Sequence, residues 1–310
     1  MIFINETNMK KIKWIFMMLT ALVLGACSED DLNSNSIFDT EDTGVQNEFD
    51  SWLLTNYAGP FNINFKYHLE DKETDMGYNL VPADYNKSVA LAKMVKFLWL
   101  DAYEELAGPH FIRTYCPKII QLIGSPAYNS KGEIVLGTAE GGLKITLYNV
   151  NAIDLDNINI DDLNYWYFKT MHHEFAHILH QTKEYSTDFG IISASNYQAG
   201  SWVNVEEVVH PQLGKISPAA LNMGFISSYG SSEPQEDFVE FISIYVTHTA
   251  EYWDALVSLA NDYGRGIIDQ KLAIVKDYMK TTWEIDLDEL RTVVQRRSQE
   301  VLNMDLSTLN

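Results

Sequence analysis

Cysteine is nearly absent. Cys27 and Cys116 are the two in 310 residues, so a disulfide-stapled scaffold is excluded and stability must come from a packed core. Hydrophobic residues at 46% suffice for a sizeable one, as one large domain or two closely packed ones. Positive charge is scarce as well. Lys and Arg number 22 against 43 Asp and Glu, a formal charge of −21 that argues against nucleic acid or an anionic lipid surface as partner. Glycine motifs that cradle phosphates are missing, as are repeats and low-complexity blocks. The longest apolar run, Trp14–Leu24, falls short of the roughly 20 residues a helix needs to cross a bilayer.

That run instead suits the core of a signal peptide, preceded by the positive Lys10, Lys11 and Lys13. Translation is expected to start at Met9. Leu24-Gly25-Ala26-Cys27 resembles a bacterial lipobox, cut before Cys27 so that its thiol carries diacylglycerol. Residues 1–26 are then the signal peptide. The next residues, Ser28-Glu29-Asp30-Asp31, resemble the acidic tag that sends lipoproteins of Bacteroidota-type bacteria to the cell surface. Residues 27–45 are polar and acidic and read as a flexible tether. With Cys27 lipidated, Cys116 has no disulfide partner within the chain and is expected to be a small buried apolar residue.

Residues 46–310 form the folded part. A short helix is expected over Glu48–Asn56, and the alternation of Phe61–Tyr67 predicts a half-buried strand. Val89, Met94, Phe97, Leu98, Leu100 and Tyr103 mark a core helix from Tyr85 to Leu106, closed by Gly108-Pro109. Strands are expected at Ile119–Ile123, Glu133–Gly137 and Leu143–Val150. A helix follows from about Asp161 to Gln181, with Asp161 or Asn159 as its cap. Tyr185–Gly224 reads as a long loop region. From Pro234 onward the chain turns helical, with helices near 250–262, 265–282 and 287–303. The boundary between an upper part (46–182) and a lower helical part (183–310) therefore falls just after the Asp161–Gln181 helix.

That helix carries the chemistry. His173, Glu174 and His177 form H-E-x-x-H, which puts both imidazoles on one helix face a turn apart. Two such rings can share a Zn2+ ion, with Glu174 beside it as general base on a zinc-activated water. A catalytic zinc needs a third ligand. A His ten residues past His173 is excluded, because position 183 is Lys and the glycine of that layout is His180. Glu236 in Glu236-Asp-Phe-Val-Glu240 is the leading choice, with Glu240 a turn later orienting a ligating imidazole. Glu240 itself, His210, Glu206 and Glu207 are the alternatives for the metal. Tyr229 is the candidate donor to a developing oxyanion. His172 is expected at the surface or behind the ligands, and His180 could line the cleft.

The order strand, helix, mixed sheet, motif helix resembles the upper half of a zincin metallopeptidase, an α+β fold. In that fold a small mixed sheet lies over the active-site helix and a mainly helical C-terminal part closes the cleft. Its edge strand takes an extended peptide, and Leu143–Tyr148 is the candidate here. Leu24–Cys27, Ser28–Asp31, His173–His177 and Glu236–Glu240 together resemble the substrate import-associated zinc metallohydrolase lipoproteins. The resemblance implies a gluzincin-like site, with His173, His177 and Glu236 on zinc and Glu174 as base. It also implies a nutrient-import setting, with a TonB-dependent outer-membrane transporter and a nutrient-binding lipoprotein as partners. The expected protein is a surface-exposed zinc metallopeptidase, anchored to the outer membrane only through Cys27 and facing the exterior. It would cleave peptides, proteins or glycoproteins. The competing expectation is a catalytically silent zincin scaffold that binds ligand for the transporter.

Overall fold

The computed structural model of the protein describes residues 47–69, 78–128, 134–135, 137–140 and 143–309. The signal peptide, the lipidation site Cys27 and the tether lie outside the described residues. Asn47 opens the described chain with a capping box. Its side chain accepts from the Asp50 amide at 2.9 Å while the Asp50 carboxylate accepts from the Asn47 amide at 3.0 Å. Helix α1 (Glu48–Leu53) follows and buries Phe49 and Leu53. It runs on through a wider π turn, Leu54–Ala58, and a further turn, Gly59–Phe61. Strand β1 is therefore short (Asn64–Lys66), since Phe61 still belongs to the helical path and Asn62 reverses it at φ 55°.

Helix α2 (Tyr85–Val95) is capped by Asp84 and passes through a π turn into α3 (Asp101–Tyr115). The expected stop at Gly108-Pro109 is a bend instead. Gly108 takes φ 76°, open to glycine at little cost, and Pro109 starts a new helical stretch where its missing N–H costs nothing.

The sheet follows, with β2 (Ile119–Leu122), β5 (Gly137–Glu140) and β6 (Lys144–Leu147). Between β2 and β5 a small antiparallel pair is formed by β3 (Ala127–Tyr128) and β4 (Ile134–Val135). The strand order is β1-β2-β6-β5. The first three are parallel and β5 is antiparallel to β6. This corrects the expectation that Leu143–Tyr148 is the edge: β6 is internal and β5 is the edge. Lys144 and Thr146 alternate with Ile145 and Leu147, yet all four are buried. The inner strand is covered on both sides, and its polar residues go under cover with it.

Asn159 caps the single turn Ile160–Leu163, accepting from the Asp161 amide at 2.9 Å. A π turn, Asn164–Phe168, then leads into α4 (Lys169–Thr182), which carries the motif and touches the edge strand β5. The region expected as loop contains short helices at Asp188–Ile192 and Pro218–Met223, with the hairpin β7 (Val208–His210) and β8 (Gly214–Ile216) between them. Four helices complete the chain: α5 (Pro234–Thr247), α6 (Ala250–Ser258), α7 (Asp262–Trp283) and α8 (Leu287–Glu300). Helix α5 packs against both α4 and α8, so one continuous core runs from Phe49 to Val301. Cys116 is buried and free, as expected.

Helix α5 is tied to α7 by an ion pair with no solvent access. Lys271 Nζ lies 2.6 Å from Asp237 Oδ2 and 3.0 Å from the Gly224 carbonyl, and the Tyr197 hydroxyl donates to the same Asp237 oxygen at 2.8 Å. Both charged side chains are fully buried. Removing one partner strands the other charge in the core. Lys271→Met should therefore cost about 3–5 kcal/mol in urea unfolding, and the double variant Lys271→Met/Asp237→Leu should recover most of that loss.

Candidate metal centre and active site

Helix α4 is two-faced. Met171, Phe175, Ala176 and Leu179 face the core, where the Phe175 ring meets Trp99 and Tyr103 edge-on at 5.3 and 4.8 Å. The other face presents His173 and His177, one turn apart with ring centroids 4.9 Å from each other. Helix α5 comes from the opposite side. Pro234 begins it, and Glu236 sits in its first turn, where the helix dipole favours a carboxylate.

Glu236 Oε2 is 3.0 Å from His173 Nε2 and 3.3 Å from His177 Nε2. Ligand atoms of the three residues all lie within 4.8 Å of one another. Among the described residues this is the group of His, Cys, Asp and Glu side chains close enough to hold a metal ion. None of the alternatives for the third position belongs to this group. Glu240 lies behind His173. Glu207 hydrogen-bonds Ser228 and pairs with Lys215, while Glu206 engages Ser217 through its backbone carbonyl. His210 Nδ1 accepts from the amides of Gln212 and Leu213 in the β7–β8 turn, at 3.2 and 3.3 Å.

Glu240 Oε1 is 2.9 Å from His173 Nδ1. Its other oxygen accepts from Lys169 Nζ at 2.9 Å and from the Ser227 hydroxyl at 2.6 Å. Burial alone would raise this carboxyl, but Lys169, His173 and Ser227 together hold it well below the ordinary carboxylate range. A carboxylate there accepts a hydrogen bond from Nδ1–H of His173, which in the neutral ring leaves the lone pair on Nε2. That lone pair faces the Glu236 carboxylate, and so does Nε2 of His177. Acceptors this close repel unless a proton or a cation lies among them. The His173 imidazole shows the demand. Burial pulls it down, yet hydrogen bonds to Glu236 and Glu240 outweigh burial and lift it to about 9. Glu236 moves the opposite way, its burial overcome by the two imidazoles, so that it stays ionised far below the usual range. Two imidazoles and one carboxylate, each with its lone pair turned inward, are the donor set that suits Zn2+.

Glu174 lies within electrostatic reach of both imidazoles and of Glu236. Burial raises its carboxyl above the ordinary value, with His173 and His177 opposing. Tyr229 stacks on His173 with centroids 5.8 Å apart and meets Trp202 edge-on at 4.9 Å. Burial, then the charge of Glu236, raises its phenol, so it keeps its proton.

Two histidines differ from expectation. His172 is neither at the surface nor behind a ligand. It is fully buried and hydrogen-bonded through Nδ1 to the Tyr103 hydroxyl at 2.9 Å, because the residue before His173 falls on the core side of α4. His180 reaches back along the helix, and its Nε2 is 2.9 Å from His177 Nδ1. Sequence reasoning also missed Lys169 and Ser227. Lys169 stands four residues before His173 and was discoverable from helix spacing. Ser227 comes from a turn far along the chain and carries no such signal.

A family model described as "Putative zinc-binding metallo-peptidase" matches residues 42–288. A crystal structure of a putative zinc-binding metallo-peptidase from Bacteroides caccae ATCC 43185 is similar, with 48% sequence identity and a TM-score of 0.73. The match covers 89% of this chain and 100% of that one. No curated protein matches the sequence.

His172 makes acid stability testable. Burial lowers its imidazole from 6.5 to about 3. The unfolded chain therefore binds a proton that the native state refuses, so this contribution is complete above about pH 6.5 and is lost as pH falls toward about 3. With a chelator present to remove metal effects, the melting temperature should fall through that window. The decline should be shallower in His172→Phe.

Proposed function

The chain belongs to the family of putative zinc-binding metallo-peptidases, and from that premise we propose that it hydrolyses peptide bonds, with zinc held by His173, His177 and Glu236 and with Glu174 as general base. One observation carries the reading: Nε2 of His173, Nε2 of His177 and Oε2 of Glu236 converge from two helices on a single point. Zinc in a His2Glu donor set supplies a Lewis acid that polarises the scissile carbonyl and acidifies water toward about pKa 7.

The protein's own side chains supply the rest. Glu174, lifted by partial burial, accepts a proton from the attacking water and returns it to the leaving amine. Tyr229, kept protonated, donates a hydrogen bond to the developing oxyanion. Glu240, fixed by Lys169 and Ser227, holds the His173 ring and its tautomer. The edge strand β5, antiparallel to β6 and touching α4, offers backbone groups along which an extended peptide can align.

The biological setting is part of the same proposal. Leu24–Cys27 supports a lipid anchor at Cys27 and Ser28–Asp31 supports exposure on the outer-membrane surface. That location fits nutrient peptides or glycoproteins as substrates and a TonB-dependent transporter with a nutrient-binding lipoprotein as partners. No helix among the described residues is long and apolar enough to cross a membrane, in keeping with attachment through the lipid.

Casein or peptide-library cleavage by residues 28–310 tests the chemistry. Glu174→Gln should lower kcat by about 10²–10⁴ with zinc stoichiometry unchanged. Tyr229→Phe should lower it by about 10²–10³, largely without affecting KM. A strong chelator should abolish cleavage, and one equivalent of zinc should restore it. Equal activity in the native protein and Glu174→Gln would remove the mechanism, and zinc binding with no cleavage in either would favour the silent ligand-binding scaffold.

A further inference from the structure

An imidazole that gives Nε2 to a zinc ion must carry its proton on Nδ1, and that N–H needs an acceptor. His173 meets this need with the Glu240 carboxylate, 2.9 Å away. His177 has no carboxylate behind it. Its Nδ1 lies 2.9 Å from Nε2 of His180, three residues on along the same helix. We propose that His180 is a positioning residue for the metal ligand His177: its Nε2 accepts the Nδ1–H of His177 and so fixes which nitrogen of that ring faces the zinc. This rests on His173, His177 and Glu236 being the ligands.

The surroundings hold His180 to that task. Its ring is 8% exposed. It is walled edge-on by Tyr185 at 5.5 Å and by Phe238 at 6.3 Å. Those two rings stack face to face, 3.9 Å apart and 4° from parallel. Phe238 lies on α5 between Glu236 and Glu240, so the helix that brings the third ligand also brings the wall that keeps His180 in place. The stacked Tyr185–Phe238 pair borders the His180 ring.

The arrangement also makes the two imidazole ligands unequal. A carboxylate acceptor pushes more charge into its partner ring than a neutral imidazole does. His173 is thereby the stronger donor and His177 the weaker one. The stretch His173–His180 thus reads H-E-x-x-H-x-x-H, with the last histidine serving a ligand and not the metal.

Zinc affinity of the mature chain, measured by competition with a chromophoric chelator, tests this with two variants. His180→Phe keeps a ring against Tyr185 and Phe238 but offers no acceptor, whereas His180→Gln keeps one. Affinity should fall about 10- to 100-fold in His180→Phe and largely recover in His180→Gln. The visible spectrum of the cobalt(II)-substituted protein should shift in His180→Phe, a change that a purely packing role would not produce. Unchanged zinc affinity and cobalt spectrum in His180→Phe would overturn the proposal, and so would a Gln variant that binds no better than Phe. Should His180→Phe fail to fold, two-bond ¹H–¹⁵N spectra of the native zinc-loaded protein decide. His180 must show a protonated Nδ1 and a bare Nε2, and a protonated Nε2 refutes the assignment. A native protein that takes up no zinc would instead sink the ligand assignment itself, a failure visible before any variant is compared.

Discussion

Three potential metal-binding atoms, brought together from two helices, hold the key position in this protein. Nε2 of His173, Nε2 of His177 and a carboxylate oxygen of Glu236 are crowded within 4.8 Å, and each turns a lone pair inward. In the absence of a cation, a proton on His173 ties that ring to the Glu236 carboxylate. The three side chains meet because helices α4 and α5 pack against each other. The cost of that crowding is small beside what surrounds it. Phe238 and Phe241 of α5 and Phe175 of α4 are all buried without residue, and burying each contributes about 1.5–3 kcal/mol.

Helix α5 shows how densely one turn can be used. Glu236 and Glu240 point toward α4, Phe238 stacks on Tyr185, and Asp237 turns to Lys271 on α7. The buried Asp237–Lys271 pair is an unusual neighbour for a metal site. Burial pushes the Asp237 carboxyl up to about 7 while Lys271 opposes it, and the Lys271 amine is pushed down by the same desolvation. Such a pair is weak evidence for net stability, but its geometry is strict. Two hydrogen bonds to a single Asp237 oxygen, from Lys271 and Tyr197, tie this turn of α5 to its neighbours. Rotation of α5 is what decides whether Glu236 faces the histidines.

The sequence disclosed the site better than the sheet. His173, Glu174 and His177 were legible because a helix converts spacing into adjacency, and Glu236 and Glu240 followed because a second ligand helix needs the same spacing. The edge candidate drawn from the zincin resemblance is an inner strand because the hydrogen-bonded order, which sequence does not express, puts β6 between β2 and β5. Lys144 and Thr146 alternate like a solvent face, yet they lie on an inner strand covered on both sides. The bend at Gly108 was foreseen as an end, since a glycine–proline pair stops a helix locally while only packing decides whether another begins beyond it. Helix spacing puts His180 one turn beyond His177, but which ring nitrogens meet is set by tautomers, which one-letter spacing does not express. Ser227 was invisible for a simpler reason: a turn places it, and no periodicity governs turns.

The site contains three carboxylates with one intrinsic acidity and three different environments. Glu236 is flanked by two imidazoles and Glu240 by His173, Lys169 and Ser227, so both are driven down and remain anionic acceptors. Glu174 has neither a lysine nor a hydrogen-bonding imidazole of its own, and partial burial dominates and drives it up. A group that never takes a proton can bind a cation or orient a ring, but it cannot shuttle protons. Only the residue whose environment moves it toward neutrality can do that. The division of labour proposed for these acids would follow from what each one touches. It would follow in the same way whichever peptide the cleft receives.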